Sequence, residues 1–538
     1  MSDHCLSELM PDQDFGAAGS CRFKRLVLDS RQLKPGDAFV LLKSASGDLT
    51  RSLEFAKSAQ SKAPLILSEL PLEGLEPFAS CKVLYRADLR DWLGTLQAKL
   101  LQADQPTVLP PIIAVTGTNG KTSITTLIAQ LMSEFGIKTG LLGTAGNGLW
   151  PDLVQSTHTT SDVLKLHEQI HALSLSGAQL ICLEASSHGL DQQRLQGLPI
   201  TTAVFTNLTH DHLDYHGTLE HYAAAKARLF GWPGLKTAII NTDDAAAEIM
   251  IAKVSQDTRL IRYGFNMEAE LHPISHELKA DGAEAKISVS GSAVSLSPQN
   301  QIFKLKTPLY GRFNLANLLA VIGAVLSVSE VFSDATVNES HTRADDKSVG
   351  ILQNLEPLIP KLTGAKGRMQ RVTLGELGGS QEPVCLVDYA HTPDALDQSL
   401  GALKAHMQDQ AGRLICVFGC GGDRDSTKRA PMTQAALKHA DSVILTSDNP
   451  RGEDPKQILE DMLRGVTVEQ KQRITIEADR RLAINLAVTE ATALDVVLVA
   501  GKGHETYQEI DGVRHDFDDS QVLSAALQSR TFGDAERS

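Results

Sequence analysis

At 538 residues, 42% of them apolar and 22% charged, the chain has an ordinary globular composition. It is too long for one core, so about three or four domains are expected. A net charge of −14 repels phosphate backbones, and no apolar run reaches the roughly 18 residues that cross a bilayer, so neither nucleic-acid binding nor membrane insertion is expected.

Small anionic substrates stay open, because a cleft can gather a few cations and helix N-termini inside an acidic protein. The opening, MSDHCLSELMPDQDF, has neither a basic start nor an apolar stretch of signal-peptide length. Seven Cys are dispersed without CxxC pairs, which suits a reducing cytoplasm.

The first block, residues 1–108, has short strand-like runs at Leu26–Leu28, Phe39–Leu42 and Leu65–Leu67 and a helical stretch from Trp92 to Leu101. The segment QADQPTVLPP at 102–111 reads as a linker. The second block, 109–363, opens with the buried-strand signal Ile112–Val115 and then a Gly turn. A helix follows, with Ile124, Leu127, Ile128, Leu131, Met132 and Phe135 at i, i+3, i+4, i+7 spacing and Gly136 at the C-terminal cap. Further strands are predicted at Leu180–Leu183, Ala203–Phe205 and Ala238–Ile240. Alternation through Ile287, Val289, Val294 and Leu296 predicts an antiparallel patch, and the polar stretch from Ser333 to Gly350 a loop.

The third block, 364–538, alternates strands (Val384–Val387, Leu414–Phe418, Val443–Leu445, Val496–Ala500) with amphipathic helices. That pattern predicts an α/β, Rossmann-like doubly wound parallel sheet, whose ligands bind beyond the carboxyl ends of the strands. Polar residues cluster just there: Asp388, Arg424, Asp448, Arg451, Lys502, His504 and Glu505.

Thr116 to Thr122 reads TGTNGKT between a strand and a helix. Gly117 and Gly120 let the backbone curl around a phosphate together with Thr118 and Asn119. Lys121 reaches the terminal phosphates, and Thr122 offers a hydroxyl to Mg²⁺. Val115 stands where the full P-loop pattern has its first Gly, yet the intact G-K-T in this setting predicts a nucleoside triphosphate site.

Glu184 closes one strand, and Asn207 and His212 follow another in TNLTHDHLDYH, so all three are expected on the phosphate-loop side of one sheet. A carboxylate and an imidazole beside triphosphate oxygens suit Mg²⁺. His210, His212 and His216 could equally form a zinc-like or merely surface cluster, though no thiolate completes a zinc site. Lys226 lies in YAAAKARLF, where small neighbours leave room for a modified lysine; a surface lysine fits the spacing as well.

This pattern resembles the Mur ligases, ATP-dependent amide-forming enzymes of peptidoglycan precursor synthesis. The resemblance rests on Lys121 and Thr122 in TGTNGKT, Glu184 in LEASSHGL, His212 in DHLDYH, Asn314 and Asn317 in GRFNLAN, Arg368 in GRMQR and Asp388 in VDYAHTPDAL. GCGGDRD at 419–425, DNPR at 448–451 and GKGHE at 501–505 resemble the members that add meso-diaminopimelate to UDP-N-acetylmuramoyl-L-alanyl-D-glutamate.

The resemblance implies three domains: a uridine-nucleotide domain, a central P-loop ATPase-type domain with a mostly parallel sheet, and a C-terminal domain for the incoming amino acid. It implies catalytic roles for Lys121, Glu184, His212 and Lys226. It also implies Mg²⁺ held by Thr122, Glu184, His212 and a carbamylated Lys226 (N6-carboxylysine). ATP would meet Asn314, Asn317, Arg368 and Asp388 besides the phosphate loop. The UDP-sugar would meet Leu28, Ser30, His158, Thr159, Thr160, Ser186, Gln192 and Arg194.

Diaminopimelate would meet Arg424, Asp448, Asn449, Pro450, Arg451, Gly501 and Glu505. There Arg451 would clamp the far carboxylate in paired hydrogen bonds and Glu505 would meet the far ammonium. A monomer is expected. The chain departs from the family pattern at Lys43 to Gly47, at His158 and in the stretch 333–350. Alternative readings are a lysine-adding or folylpolyglutamate-type ligase, or a non-catalytic ATP-binding regulator.

Overall fold

The structure is a computed structural model that describes residues 2–43, 48–72, 81–156, 158–290, 301–328, 352–374, 382–408 and 411–535. Residues 44–47, the loop expected at 333–350, and Val294 and Leu296 lie outside the described residues. The chain divides into two compact units, residues 1–263 with 323–336 and residues 264–322 with 337–538.

After a short antiparallel pair, His4–Cys5 with Arg22–Phe23, the first unit forms a parallel sheet in the order Leu26–Val27, Ala38–Leu41, Leu65–Ser68 and Lys82–Tyr85. Its central strands are buried along their whole length because helices cover both faces. Asp48 caps the helix Leu49–Gln60 by accepting from Arg51 N. The helix Leu89–Asp104 is longer than its apolar spacing alone suggested and buries Trp92, Leu93, Leu96 and Leu100.

The same unit holds a larger sheet. Its strands run Thr139–Gly143, Leu180–Glu184, Ile112–Thr116, Ile200–Phe205, Thr237–Asn241 and Arg259–Tyr263, all parallel. An antiparallel hairpin, Gly146–Leu149 with Asp152–Val154, extends one edge. Glu184 pairs with Val115 and Phe205 with Thr116, so three strands end level with the turn that begins at Gly117.

The second unit contains the antiparallel strands Leu271–Lys279, Gly282–Val289 and Gln301–Thr307, where every other residue of the last is buried. Its main sheet runs Gln370–Val372, Val384–Asp388, Val496–Ala500, Leu414–Phe418, Ser442–Leu445 and Ile474–Ile476, parallel except at the first strand. Apolar clusters fill both faces, as a doubly wound sheet requires. Register aligns Asp388 with Ala500, Ala500 with Phe418 and Phe418 with Leu445. The four loops that follow therefore leave one edge of the sheet together.

Candidate active site

The phosphate loop is assembled from backbone that only glycine adopts easily. Gly117 has φ +149° and Gly120 φ +90°, and a Cβ on Gly117 would lie 1.8 Å from Thr206 Oγ1. Asn207 brackets the loop: its Oδ1 accepts from Asn119 N at 2.9 Å and its carbonyl from Thr118 N at 2.8 Å. Thr206 Oγ1 donates to Asn119 O at 2.6 Å. Lys121 Nζ folds back onto the carbonyls of Gly117 and Thr118, 2.8 Å each. Lys121 and Thr122 begin the helix Lys121–Glu134, so its free N–H groups and dipole face the turn.

Lys226 is no surface lysine. It is 1% exposed, and its Nζ donates to Gly117 O at 2.9 Å, on the same carbonyl that holds Lys121. The Tyr222 ring lies 4.3 Å from Nζ, and Tyr222 Oη meets Thr118 Oγ1 at 3.2 Å. Burial, with the charge of Lys121 beside it, pushes the Lys226 ammonium well below the ordinary lysine range.

Glu184 is fully buried, with Oε1 accepting from Thr144 N at 2.7 Å and Oε2 from Thr144 Oγ1 at 3.2 Å. Around it the residues expected to face the sugar nucleotide form one web. Thr159 Oγ1 meets Thr144 Oγ1 at 3.1 Å, and Thr160 Oγ1 donates to Glu184 O and accepts from Ser186 N. Arg194 grips Thr160 O at 2.7 Å and Gln192 Oε1 at 2.8 Å, and Gln192 donates to Tyr215 Oη. Ser186 caps the short helix Ser187–Asp191. His158 is exposed, with Ser156 Oγ donating to its carbonyl. Leu28 packs on the core of the N-terminal sheet and Ser30 starts a turn capped by Asp29; no hydrogen bond among the described residues joins either to this web.

His212, 48% exposed at the side chain, takes a left-handed backbone (φ +53°) and meets His188 and Tyr222 edge-on. Among the described residues no group of three or more His, Cys, Asp or Glu side chains is arranged to hold a metal. The donors present are the Thr122 hydroxyl, the Glu184 carboxylate, the His212 imidazole and the Lys226 amine. Only Thr122 and Glu184 offer oxygen, and so small a protein share fits Mg²⁺, which completes its coordination with waters and substrate phosphates. Asp191, Asp214, Tyr215, His216, His221 and Arg228 line a neighbouring pocket of about 550 Å³.

In the second unit, Asn314 and Asn317 lie buried near the start of the helix Arg312–Val328. Asn314 Nδ2 donates to Tyr310 O at 2.8 Å and its Oδ1 accepts from Asn317 Nδ2 at 3.1 Å. Asp388, expected at a ribose, has both oxygens engaged within the protein: Oδ2 by Met369 N, Oδ1 by Ala390 N and Ser399 Oγ. It thereby holds the turn that carries Arg368, whose guanidinium stacks 4.6 Å from the Tyr389 ring. Burial pushes the Asp388 carboxyl upward, and the charge of Arg368 opposes it.

The loops after the four aligned strands pack backbone to backbone. Gly422 N donates to Asn449 O at 2.9 Å, and a Cβ on Gly422 would lie 1.9 Å from Pro450 O. Gly501, at φ +110°, approaches Asp448 so closely that a Cβ would meet Oδ2 at 2.7 Å. Arg451 sits at φ +53°; its N–H donates to Glu509 O and its carbonyl accepts from Asp511 N, stitching DNPR to the hairpin Tyr507–Ile510 with Val513–Asp516. Arg451 Nη1 donates to Gly422 O at 2.8 Å. Arg424 is exposed beside it. Asn449 Nδ2 donates to Glu505 Oε2 at 2.8 Å.

Sequence reasoning placed Lys502 beyond a strand end without giving it a role, and it missed Arg480. Lys502, fully enclosed, bonds Asn449 Oδ1 and Glu505 Oε2, and Arg480, equally enclosed, pairs with Asp519 and donates to Ala500 O and Ser447 O. Lys502 stood visible in GKGHE without an evident task. Arg480 begins a helix whose RR start reads as solvated charge.

A parallel α/β sheet that presents a glycine-built anion loop at a helix N-terminus, with a buried lysine against that loop, defines a nucleotide-dependent enzyme. The Mur ligase middle domain profile matches residues 115–325, and that of the Mur ligase glutamate ligase domain residues 367–503. The UDP-N-acetylmuramoyl-L-alanyl-D-glutamate–2,6-diaminopimelate ligase of Chromobacterium violaceum is 40% identical over 94% of this chain and 94% of its own. The ligase of the same name from Xanthomonas oryzae pv. oryzae is 41% identical over 98% of each. A solved structure bearing that ligase's name superposes with a TM-score of 0.71 at 40% identity, covering 98% of this chain and 99% of the other. The chain belongs to the Mur ligase family of ATP-dependent, amide-bond-forming ligases.

Proposed function

We propose that the protein adds meso-diaminopimelate to the D-glutamate γ-carboxylate of UDP-N-acetylmuramoyl-L-alanyl-D-glutamate. It would do so in the cytoplasm and as a monomer, with residues 1–108 serving the uridine nucleotide, 109–363 ATP and 364–538 the amino acid. The observation that carries this reading is the loop cluster in which the Arg451 guanidinium and the Glu505 carboxylate come from adjoining, interlocked segments. A zwitterionic far end needs one cation and one anion held apart in that way.

A carboxylate and an amine do not condense in water because oxide is not a leaving group. The γ-carboxylate oxygen attacks the γ-phosphorus of ATP, the bond to the β-phosphate oxygen breaks, and ADP departs, leaving an acyl phosphate. The amine of diaminopimelate attacks the acyl carbon and loses a proton. Phosphate leaves with the C–O electron pair, and the amide remains. Lys121 and the N–H groups that open its helix neutralise the transferring phosphate, while Thr118 and Asn119, whose N–H groups are given to Asn207, shape the turn around it. Asn314 and Asn317 serve the adenine side and Arg368 the phosphates, with Asp388 holding Arg368 in place. Thr159, Thr160, Ser186, Gln192 and Arg194 orient the muramoyl dipeptide, with His158, Leu28 and Ser30 toward the nucleotide.

Mg²⁺ would be held by Thr122, Glu184, His212 and the carbamate of Lys226, and when bound it supplies charge neutralisation to the phosphates. The depressed proton affinity of Lys226 supports the carbamate. The test is an amino-acid panel with ATP and the UDP-muramoyl dipeptide, reading phosphate release and product mass. Turnover with meso-diaminopimelate far above that with L-lysine is expected; equal turnover would remove the reading.

A further inference from the structure

A lysine enclosed as completely as Lys502 is costly to desolvate, and an apolar side chain of similar volume would serve packing at least as well. Its partners say what the ammonium does there. Nζ donates to Asn449 Oδ1 and to Glu505 Oε2, 3.0 Å each, and lies 3.8 Å from Asp448 Oδ1. Asn449 Nδ2 closes the ring onto the same Glu505 Oε2 at 2.8 Å.

One oxygen of Glu505 is thus pinned by two donors, whereas Oε1 accepts no hydrogen bond among the described residues. The Glu505 side chain is 22% exposed, so that second oxygen is open to an incoming group. The charges of this cluster do not cancel. Among the described residues Lys502 is the one cation within ion-pair distance of the acids Asp448 and Glu505, and the Arg480–Asp519 pair is neutral as a unit. At that distance carboxylates outnumber cations, which suits one incoming ammonium.

We propose that Lys502 is a positioning residue that pins Oε2 of Glu505 and so aims its Oε1 at the far ammonium of the incoming amino acid. The far ammonium is then read as strictly as the far carboxylate, and a diacid that lacks it is rejected. This inference rests on the amine-pocket reading given above. It predicts a discrimination that a fold-stabilising lysine would not produce.

The experiment compares kcat/KM for meso-diaminopimelate and for 2-aminopimelate, the same diacid without its second amine, in wild-type protein, Lys502→Met and Lys502→Arg. Wild-type protein is expected to prefer diaminopimelate by about 100-fold or more. In Lys502→Met that preference falls below about 10-fold through a raised KM for diaminopimelate, with the KM for ATP unchanged within about threefold; Lys502→Arg recovers part of it. If Lys502→Met lowers both amines by the same factor, the lysine is merely structural and the inference is overturned.

Should Lys502→Met fail to fold, Lys502→Leu, which likewise has no donor for Glu505, is read in the same way. Wild-type protein that joins L-lysine as readily as diaminopimelate removes the substrate reading alone. Lysine also carries a far ammonium, and the variants are then scored with lysine against norleucine. Wild-type protein indifferent to the far ammonium overturns the inference as well.

Discussion

Replacing Arg451 by alanine tests the selectivity of the amine pocket most directly. Of the five N–H donors on its guanidinium, one is taken by the Gly422 carbonyl, at 2.8 Å. The edge formed by Nε and Nη2 donates to no partner among the described residues and can meet a carboxylate in two parallel hydrogen bonds. Charge-assisted bonds contribute about 1.5–3 kcal/mol each, so after the usual losses the pair amounts to about 3–4 kcal/mol, or a fall of about 10²–10³-fold in kcat/KM. The backbone does not confuse the result: arginine already bears the strain of φ +53°, and alanine bears about the same. Arg451→Lys is expected to recover little, because an ammonium cannot pair bidentately. Steady-state kinetics with meso-diaminopimelate and with L-lysine, alongside ATP affinity by calorimetry, decide the matter. An unchanged ratio between the two amines, or an equal loss of ATP binding, would refute the reasoning.

Three further outcomes are expected. Lys226→Ala should lose activity by about 10³-fold and regain part of it with added formate or acetate; wild-type-like turnover would dispose of the carbamate. Gly117→Ala should abolish ATP binding in a calorimetric titration while the fold persists by circular dichroism, because its Cβ has no room beside Thr206 and the residue stands at φ +149°. His167 is buried and donates from Nε2 to Gln196 O at 2.8 Å, and burial pushes its imidazole from 6.5 down to about 4. As pH falls below 6.5 the unfolded ring takes a proton before the folded one, so stability drops until about 4 and levels off below that. By pH 5 the loss is about 2 kcal/mol, and the thermal midpoint of wild-type protein should fall more steeply between pH 7 and pH 5 than that of His167→Gln. Parallel slopes would contradict it.

Much of this architecture was legible in one dimension. The buried strands Ile112–Thr116, Val384–Asp388, Leu414–Phe418 and Val496–Ala500 stand within a residue of the apolar runs that announce them, because a parallel sheet covered on both faces demands unbroken hydrophobic stretches. The phosphate turn was equally plain, since its glycines answer a local steric need. Strands such as Lys82–Tyr85 and the hairpin after Tyr507 carry no such signal: their residues are partly exposed, and pairing alone makes them strands.

Sequence by itself settled which residue types are available: a glycine loop before a helix, a Pro-fixed arginine after a strand, a lysine among alanines. Local geometry and side-chain chemistry depend on neighbours a few residues away, and the chain order states those outright. Tertiary structure alone decided that Lys226 is buried against the Gly117 carbonyl, 109 positions away in the chain. It alone joined Lys502 to Asn449 across 53 positions, and neutralised Arg480 with Asp519. Desolvation and charge pairing act through space, and their magnitude depends on what the fold brings within a few ångströms.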